Sequence, residues 1–202
     1  AVIGGMCDYF RREFSQAEFH LIAFDGSTPR LPELDSRRIG PLRKAWSVLW
    51  QALVRQRKSI QEALFWSPTF VRMLQAEIDR LSPDLVIFDT IRIGQYEPHL
   101  RLREARSILY LDDLFSLRYE RVLQAMKTFP NSSIDSMGNF GRNVPKAVLS
   151  LYQRLPGIQT SLLRIEAFLT RRSEIRQTPC FDTSLLINPD EVELLRQRTA
   201  SR

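Results

Sequence analysis

Ser107-Ile108-Leu109-Tyr110-Leu111-Asp112-Asp113-Leu114-Phe115-Ser116-Leu117-Arg118-Tyr119 decides the fold. An apolar, strand-like run stops at two adjacent carboxylates, and a helical pattern follows. Some twenty residues earlier, Pro83-Asp84-Leu85-Val86-Ile87-Phe88-Asp89-Thr90-Ile91-Arg92 repeats the plan. In an open α/β sheet, ligands bind outside the carboxyl ends of the strands. Two successive strands ending in Asp thus predict one cleft edge lined by Asp89, Asp112 and Asp113. The alternative role is local. An Asp side chain accepts the orphan N–H groups of a helix's first turn, so Asp112 or Asp113 could cap the helix carrying Leu117, Tyr119 and Val122. One helix has one N-cap position, which leaves the other carboxylate to be explained.

Outward from these strands, the pattern alternates helix and strand. Met6 to Ser15 reads as a first helix, with Met6, Tyr9, Phe10 and Phe14 on one side, and Glu18 to Phe24 as a strand closed by Asp25-Gly26-Ser27. A helix feeding a parallel strand implies an earlier strand, so a first strand is expected to be missing ahead of Gly4-Gly5. Those glycines either let the backbone approach a phosphate at the helix entry or are flexible ends. Arg38 to Leu42 reads as a short edge strand. Leu42, Trp46, Leu49, Trp50 and Leu53 then form one helical face. Ser67-Pro68 opens a helix running to Arg80, followed by the strands Leu85–Phe88 and Ile108–Leu111. Residues 130–143 read as a mobile loop. Helices are expected over Val144–Leu155 and Leu162–Ile175, divided by Pro156-Gly157. A last strand lies within Phe181–Asn188, and a helix starts at Pro189, spanning 189–202. The whole predicts an α/β fold: a Rossmann-like, mostly parallel sheet with helices on both faces, as a single domain over residues 1–202.

Composition sets the outer bounds. The chain has 202 residues, 44% hydrophobic and 26% charged, which suits one soluble globular domain. No apolar run approaches the ~20 residues needed to span a bilayer, and no signal-peptide pattern opens the chain. Cys7 and Cys180 stand far apart, and His20 and His99 are the only histidines. A metal site is therefore not expected, and the cysteines read as free, buried thiols in a reducing compartment. The net charge of +6 points to anionic partners. Between Ser36 and Gln61 stand Arg37, Arg38, Arg43, Lys44, Arg55, Arg57 and Lys58 with no acid. From Arg43 to Lys58 this stretch, with Trp46 and Trp50, reads as an amphipathic helix suited to an anionic membrane surface. Such a helix could equally pack its apolar face on the sheet and leave its basic face solvated. Aromatics at core spacing are not stacking platforms, so nucleic acid is not the expected partner.

The segments Pro83–Asp89, Leu111–Tyr119 and Phe181–Glu191 together resemble the N-terminal, acceptor-side domain of bacterial GT-B fold glycosyltransferases of the polysaccharide-assembly type. The likeness covers Met6 to about Arg196, and its most telling part is Asp182-x-x-Leu185-x-x-Asn188-x-x-Glu191. The resemblance implies the acceptor-binding half of a two-domain enzyme, inactive alone. Its donor, a nucleotide sugar, would bind chiefly to a C-terminal domain, with Gly4 and Gly5 as remnants of the glycine-rich loop. It implies Asp112 or Asp113 as the catalytic base for an acceptor hydroxyl. Asp89, Thr90, Arg92, Arg118 and Tyr119 would serve as acceptor-binding residues, with Arg92 and Arg118 holding a phosphate or an acidic sugar. Arg43, Lys44, Trp46, Trp50, Arg55, Arg57 and Lys58 would touch the membrane carrying a glycan or glycolipid acceptor. The implied location is the cytoplasm, peripheral at the inner face of the cell membrane, with no cofactor beyond the sugar donor. The competing class is a non-catalytic basic α/β module that binds anionic lipid or nucleic acid. A phospho-acceptor receiver domain also places Asp at strand ends, but its acidic pair follows the first strand, and the spacing here is wrong.

Overall fold

The structure, a computed structural model, describes residues 12–13, 16–22, 58–129 and 156–200. Its centre is a three-stranded parallel sheet in the order β1 (Leu85–Asp89), β2 (Arg106–Leu111), β3 (Thr183–Leu186). Leu85 pairs with Arg106 and Asp89 with Tyr110, while Ile108 pairs with Thr183 and Leu111 with Leu186. Helices flank this sheet: α1 (Ile60–Phe65), α2 (Pro68–Leu81), α3 (Thr90–Gly94), α4 (Phe115–Thr128), α5 (Pro156–Gln177) and α6 (Pro189–Ala200). The fold is α/β with a parallel sheet, as the alternating pattern requires.

Local chemistry explains the boundaries. Ser59 and Glu62 make a reciprocal capping box at the start of α1. The Phe70 N–H donates to Ser67 Oγ at the start of α2, and Pro68 occupies the first turn, where a missing N–H costs nothing. Phe70, Leu74 and Ile78 then follow one helical face into the interior. Along β1 and β2 the side chains alternate, so that Phe88, Leu109 and Leu111 enter a core shared with Ile91, Leu114, Phe181 and Leu195. Phe88 and Phe181 meet edge to face at 5.4 Å. On the opposite pleat Leu85, Ile87, Leu185 and Ile187 are exposed.

Three expectations are corrected. Residues 18–22 form no strand; they have no strand partner among the described residues, and alternation alone does not make a ladder. Pro156-Gly157 does not precede the helix expected from Leu162 but lies within α5, which includes Pro156–Gln177. Cys180 is exposed rather than buried, in a 3-10 turn after α5 that faces solvent. The expected elements over 38–53, 130–143 and 144–155, and most of the first helix, lie outside the described residues.

Candidate functional site

The carboxyl ends of β1 and β2 lie side by side, because Asp89 and Tyr110 are register partners. Asp89 ends β1, and Asp112 and Asp113 follow β2 by one and two residues. Desolvation raises the Asp89 pKa; Arg92 opposes this, and the negative charge of Asp112 adds to it. Asp112 is exposed and makes no ion pair among the described residues. Asp113 is different. Arg118 grips it with two donors, Nε at 2.9 Å and NH2 at 2.7 Å. The strand end thus carries one carboxylate held in an ion pair and one, Asp112, that is exposed and accepts from the Tyr110 hydroxyl.

Neither aspartate caps α4. Leu114 stands at the N-cap, with no side-chain cap bond. The orphan donors are instead met from far along the chain. The Leu114 N–H donates to Glu191 Oε2 at 2.8 Å, and the Ser116 N–H donates to Glu174 Oε1 at 3.0 Å. A carboxylate that arrives from another helix can be buried against the first turn, and that frees Asp112 and Asp113 to face the sheet edge.

Thr90 and Arg92 follow Asp89 on α3. Thr90 is buried and has φ of 67°, an unusual backbone state for a β-branched residue. Its Oγ1 accepts from Arg92 Nε at a long 3.4 Å. The Arg92 guanidinium lies 5.4 Å from the Phe65 ring and 5.1 Å from the Phe115 ring, and Arg118 lies 4.8 Å from Phe115. Burial lowers the Arg92 pKa, against the raising influence of Tyr119 and Asp89. Tyr119 sits beneath this layer. Its hydroxyl accepts from Gln61 Nε2, and burial, followed by the Glu166 charge, pushes its pKa upward. It remains a neutral packing residue that supports the arginines.

The structure therefore brings Asp89, Thr90, Arg92, Asp112, Asp113, Arg118 and Tyr119 to one edge. Gly4, Gly5, Arg43, Lys44, Trp46, Trp50, Arg55 and Arg57 lie outside the described residues. Lys58 is described, and its ammonium turns inward: it donates to Gln95 Oε1 at 3.3 Å and lies 4.2 Å from the Trp66 ring. Burial lowers its pKa.

Comparison with protein-family models, with curated proteins and with solved structures found no match. The edge must therefore be read from its own chemistry.

The sequence reading missed a second polar layer. Glu166, Thr170, Ser173, Glu174 and Gln177 run along α5 and are all buried. Glu166 accepts from the N–H groups of Ile60 at 2.7 Å and Gln61 at 3.1 Å, capping α1. Glu62 accepts from Ser59 N at 2.8 Å, Gln177 Nε2 at 2.7 Å and Arg176 NH2 at 3.3 Å, and also from Ser173 Oγ. The helical spacing of these polar residues was a signal, but polar spacing is ordinarily read as a solvated face. The motif Asp182-x-x-Leu185-x-x-Asn188-x-x-Glu191 also gains a physical meaning. Asp182 Oδ2 accepts from Ser107 N at 2.7 Å, Asn188 Oδ1 accepts from Asp190 N at 3.0 Å, and Glu191 caps α4. These polar positions brace the sheet and position the Asp112 end.

Proposed function

We propose that the chain is the acceptor-binding part of a glycosyltransferase that moves a sugar from a nucleotide-sugar donor to a polysaccharide or lipid-linked acceptor. The observation that carries this reading is the exposed Asp112 carboxylate just past the end of β2, in no ion pair among the described residues and met by the Tyr110 hydroxyl, beside an Asp113 already held by Arg118. In an inverting transfer, Asp112 takes the proton of an acceptor hydroxyl as that oxygen bonds to the donor's anomeric carbon. The bond from that carbon to the nucleotide phosphate breaks, and its electron pair leaves with the phosphate. A general base of this kind contributes about a hundredfold or more. Asp89 fits an acceptor hydroxyl as a hydrogen-bond acceptor, and the cytoplasmic face of a membrane suits a lipid-linked acceptor. No described helix is long and apolar enough to cross a membrane.

The test is transfer of radiolabel from a panel of nucleotide sugars into bacterial membrane lipid by the full-length protein. Asp112→Asn should lower transfer by about a hundredfold or more while leaving the unfolding transition in place. Asp113→Asn should lower it by less than about tenfold, because it removes only an exposed ion pair. Transfer from no donor, or an Asp112→Asn protein as active as wild type, would displace this reading in favour of a non-catalytic module that binds anions.

A further inference from the structure

Arg92 is the least accounted-for group at the sheet edge. Its guanidinium is partly buried, two phenyl rings lie near it, and its one hydrogen bond to a described residue is the long contact to Thr90 Oγ1. It makes no ion pair with a described carboxylate. Arg118, the other described arginine whose guanidinium approaches the Phe115 ring, is already held by Asp113 at 2.7 Å and 2.9 Å. Aromatic neighbours stabilise a guanidinium, yet among the described residues Thr90 Oγ1 is the one acceptor its N–H donors meet. Asp89 acts on it as a counter-charge without forming an ion pair with it, and a buried cation that is incompletely paired is costly. The backbone beside it is held in an uncommon state at Thr90, and such strain gathers at ligand clamps and active sites.

We infer that Arg92 anchors a singly charged oxyanion on the acceptor, with Asp89 and Asp112 receiving the hydroxyl groups next to it. This inference rests on the glycosyltransferase reading for the word acceptor, and on the geometry alone for the ligand's chemistry. The charges at the edge limit that chemistry. Arg92 and Arg118 face Asp89, Asp112 and Asp113, so two positive charges meet three negative ones. Asp113 already neutralises Arg118, which leaves one guanidinium to meet a ligand beside Asp89 and Asp112. It can match one negative charge but not the two or more of a pyrophosphate. A guanidinium pairs with a carboxylate or phosphate oxygen pair in a planar, two-pronged fashion. The ligand class is thus a sugar bearing a uronate carboxylate, or a sugar joined through a phosphodiester.

Isothermal titration of the full-length protein separates these sources. The probes are methyl glucuronide, the methyl phosphodiester of glucose, and neutral methyl glucoside. At least one anionic probe should bind about tenfold or more tightly than methyl glucoside, and which one does so identifies the source. Arg92→Gln should abolish that preference, and Arg92→Lys, which keeps the charge but not the planar fork, should keep a part of it. Arg118→Gln should alter it less, because Arg118 is engaged by Asp113. Equal binding of all three probes overturns the inference, as does an unchanged preference in Arg92→Gln. If Arg92→Gln does not fold, an unchanged preference in Arg92→Lys overturns it in the same way. Anion binding through Arg92 in a protein that transfers no sugar would leave this site standing and remove the glycosyltransferase reading.

Discussion

At the scale of single residues, Gly94 shows how tightly the site's support is packed. A Cβ built there would lie 2.6 Å from Gln177 Oε1, 2.8 Å from Leu109 Cδ1 and 3.4 Å from Phe181 Cζ. Leu109 is fully buried in β2 and cannot swing aside. Gly94→Ala should therefore destabilise the fold by about 1–3 kcal/mol, read as a lower urea midpoint with an unchanged slope. An unchanged midpoint would mean that α3 shifts freely, and Arg92 with it. Nothing in the sequence around Gly94 announces this contact, because its neighbours come from β2, from the last residue of α5 and from just beyond it. The strand-end aspartates were legible for the opposite reason: each ends an uninterrupted apolar run. Their difference was not legible. Arg118 lies five residues from Asp113 and six from Asp112, and only the geometry shows which one it grips.

At the scale of elements, α5, the longest helix among the described residues, holds two of the buried acids. Glu166 and Glu174 on α5 each have a pKa pushed up to about 7. Burial is the largest cause for both. For Glu166 the N–H groups of Ile60 and Gln61 oppose it, and the Glu62 charge adds to it. For Glu174 the Ser116 hydroxyl, the Ser116 N–H and Arg198 oppose it, and Asp113 adds to it. A folded-state pKa above the unfolded value of 4.5 means that the folded chain holds the proton more tightly. The stabilisation is complete below about pH 4.5 and is lost as pH rises through about 7. Each group should lower stability by up to about 1.4 kcal/mol per pH unit within that window. Chemical denaturation from pH 5 to pH 8 should show a shallower decline in Glu166→Gln and Glu174→Gln than in wild type. Parallel slopes in all three proteins would show that these acids are already ionised at pH 5. The helix itself was expected from its length and spacing. Its inward polar stripe was not, since the partners of Glu166 and Glu174 are separated by 105 and 58 residues.

At the scale of the whole molecule, β3 and α6 brace β2 at both of its ends. At the amino end, Asp182 Oδ2 accepts from Ser107 N at 2.7 Å and from Ser107 Oγ at 3.3 Å. At the carboxyl end, buried Glu191 accepts from Leu114 N at 2.8 Å and from Arg121 NH2 at 3.4 Å. Sequence pattern gives the parallel order, because apolar runs alternate with helices. It cannot give these braces, whose partners are 75 and 77 residues apart. A charge-assisted hydrogen bond to a backbone donor contributes about 1.5–3 kcal/mol, so Asp182→Ala and Glu191→Ala should each destabilise by about 2 kcal/mol. The two braces are separated by the length of β2, roughly 20 Å, and share no partner. Their costs should then add to within about 0.5 kcal/mol in the double variant, measured by urea denaturation. A double variant much less destabilised than the sum would mean that either loss alone already undocks β3 and α6 together. The functional consequence differs between the two ends. Glu191 holds the first turn of α4 next to Asp112, so Glu191→Ala should lower sugar transfer as well as stability. Asp182→Ala should lower stability and leave transfer by the folded fraction intact. Equal losses of transfer from both variants would show that the Asp112 edge depends on the sheet as a unit rather than on its nearer brace.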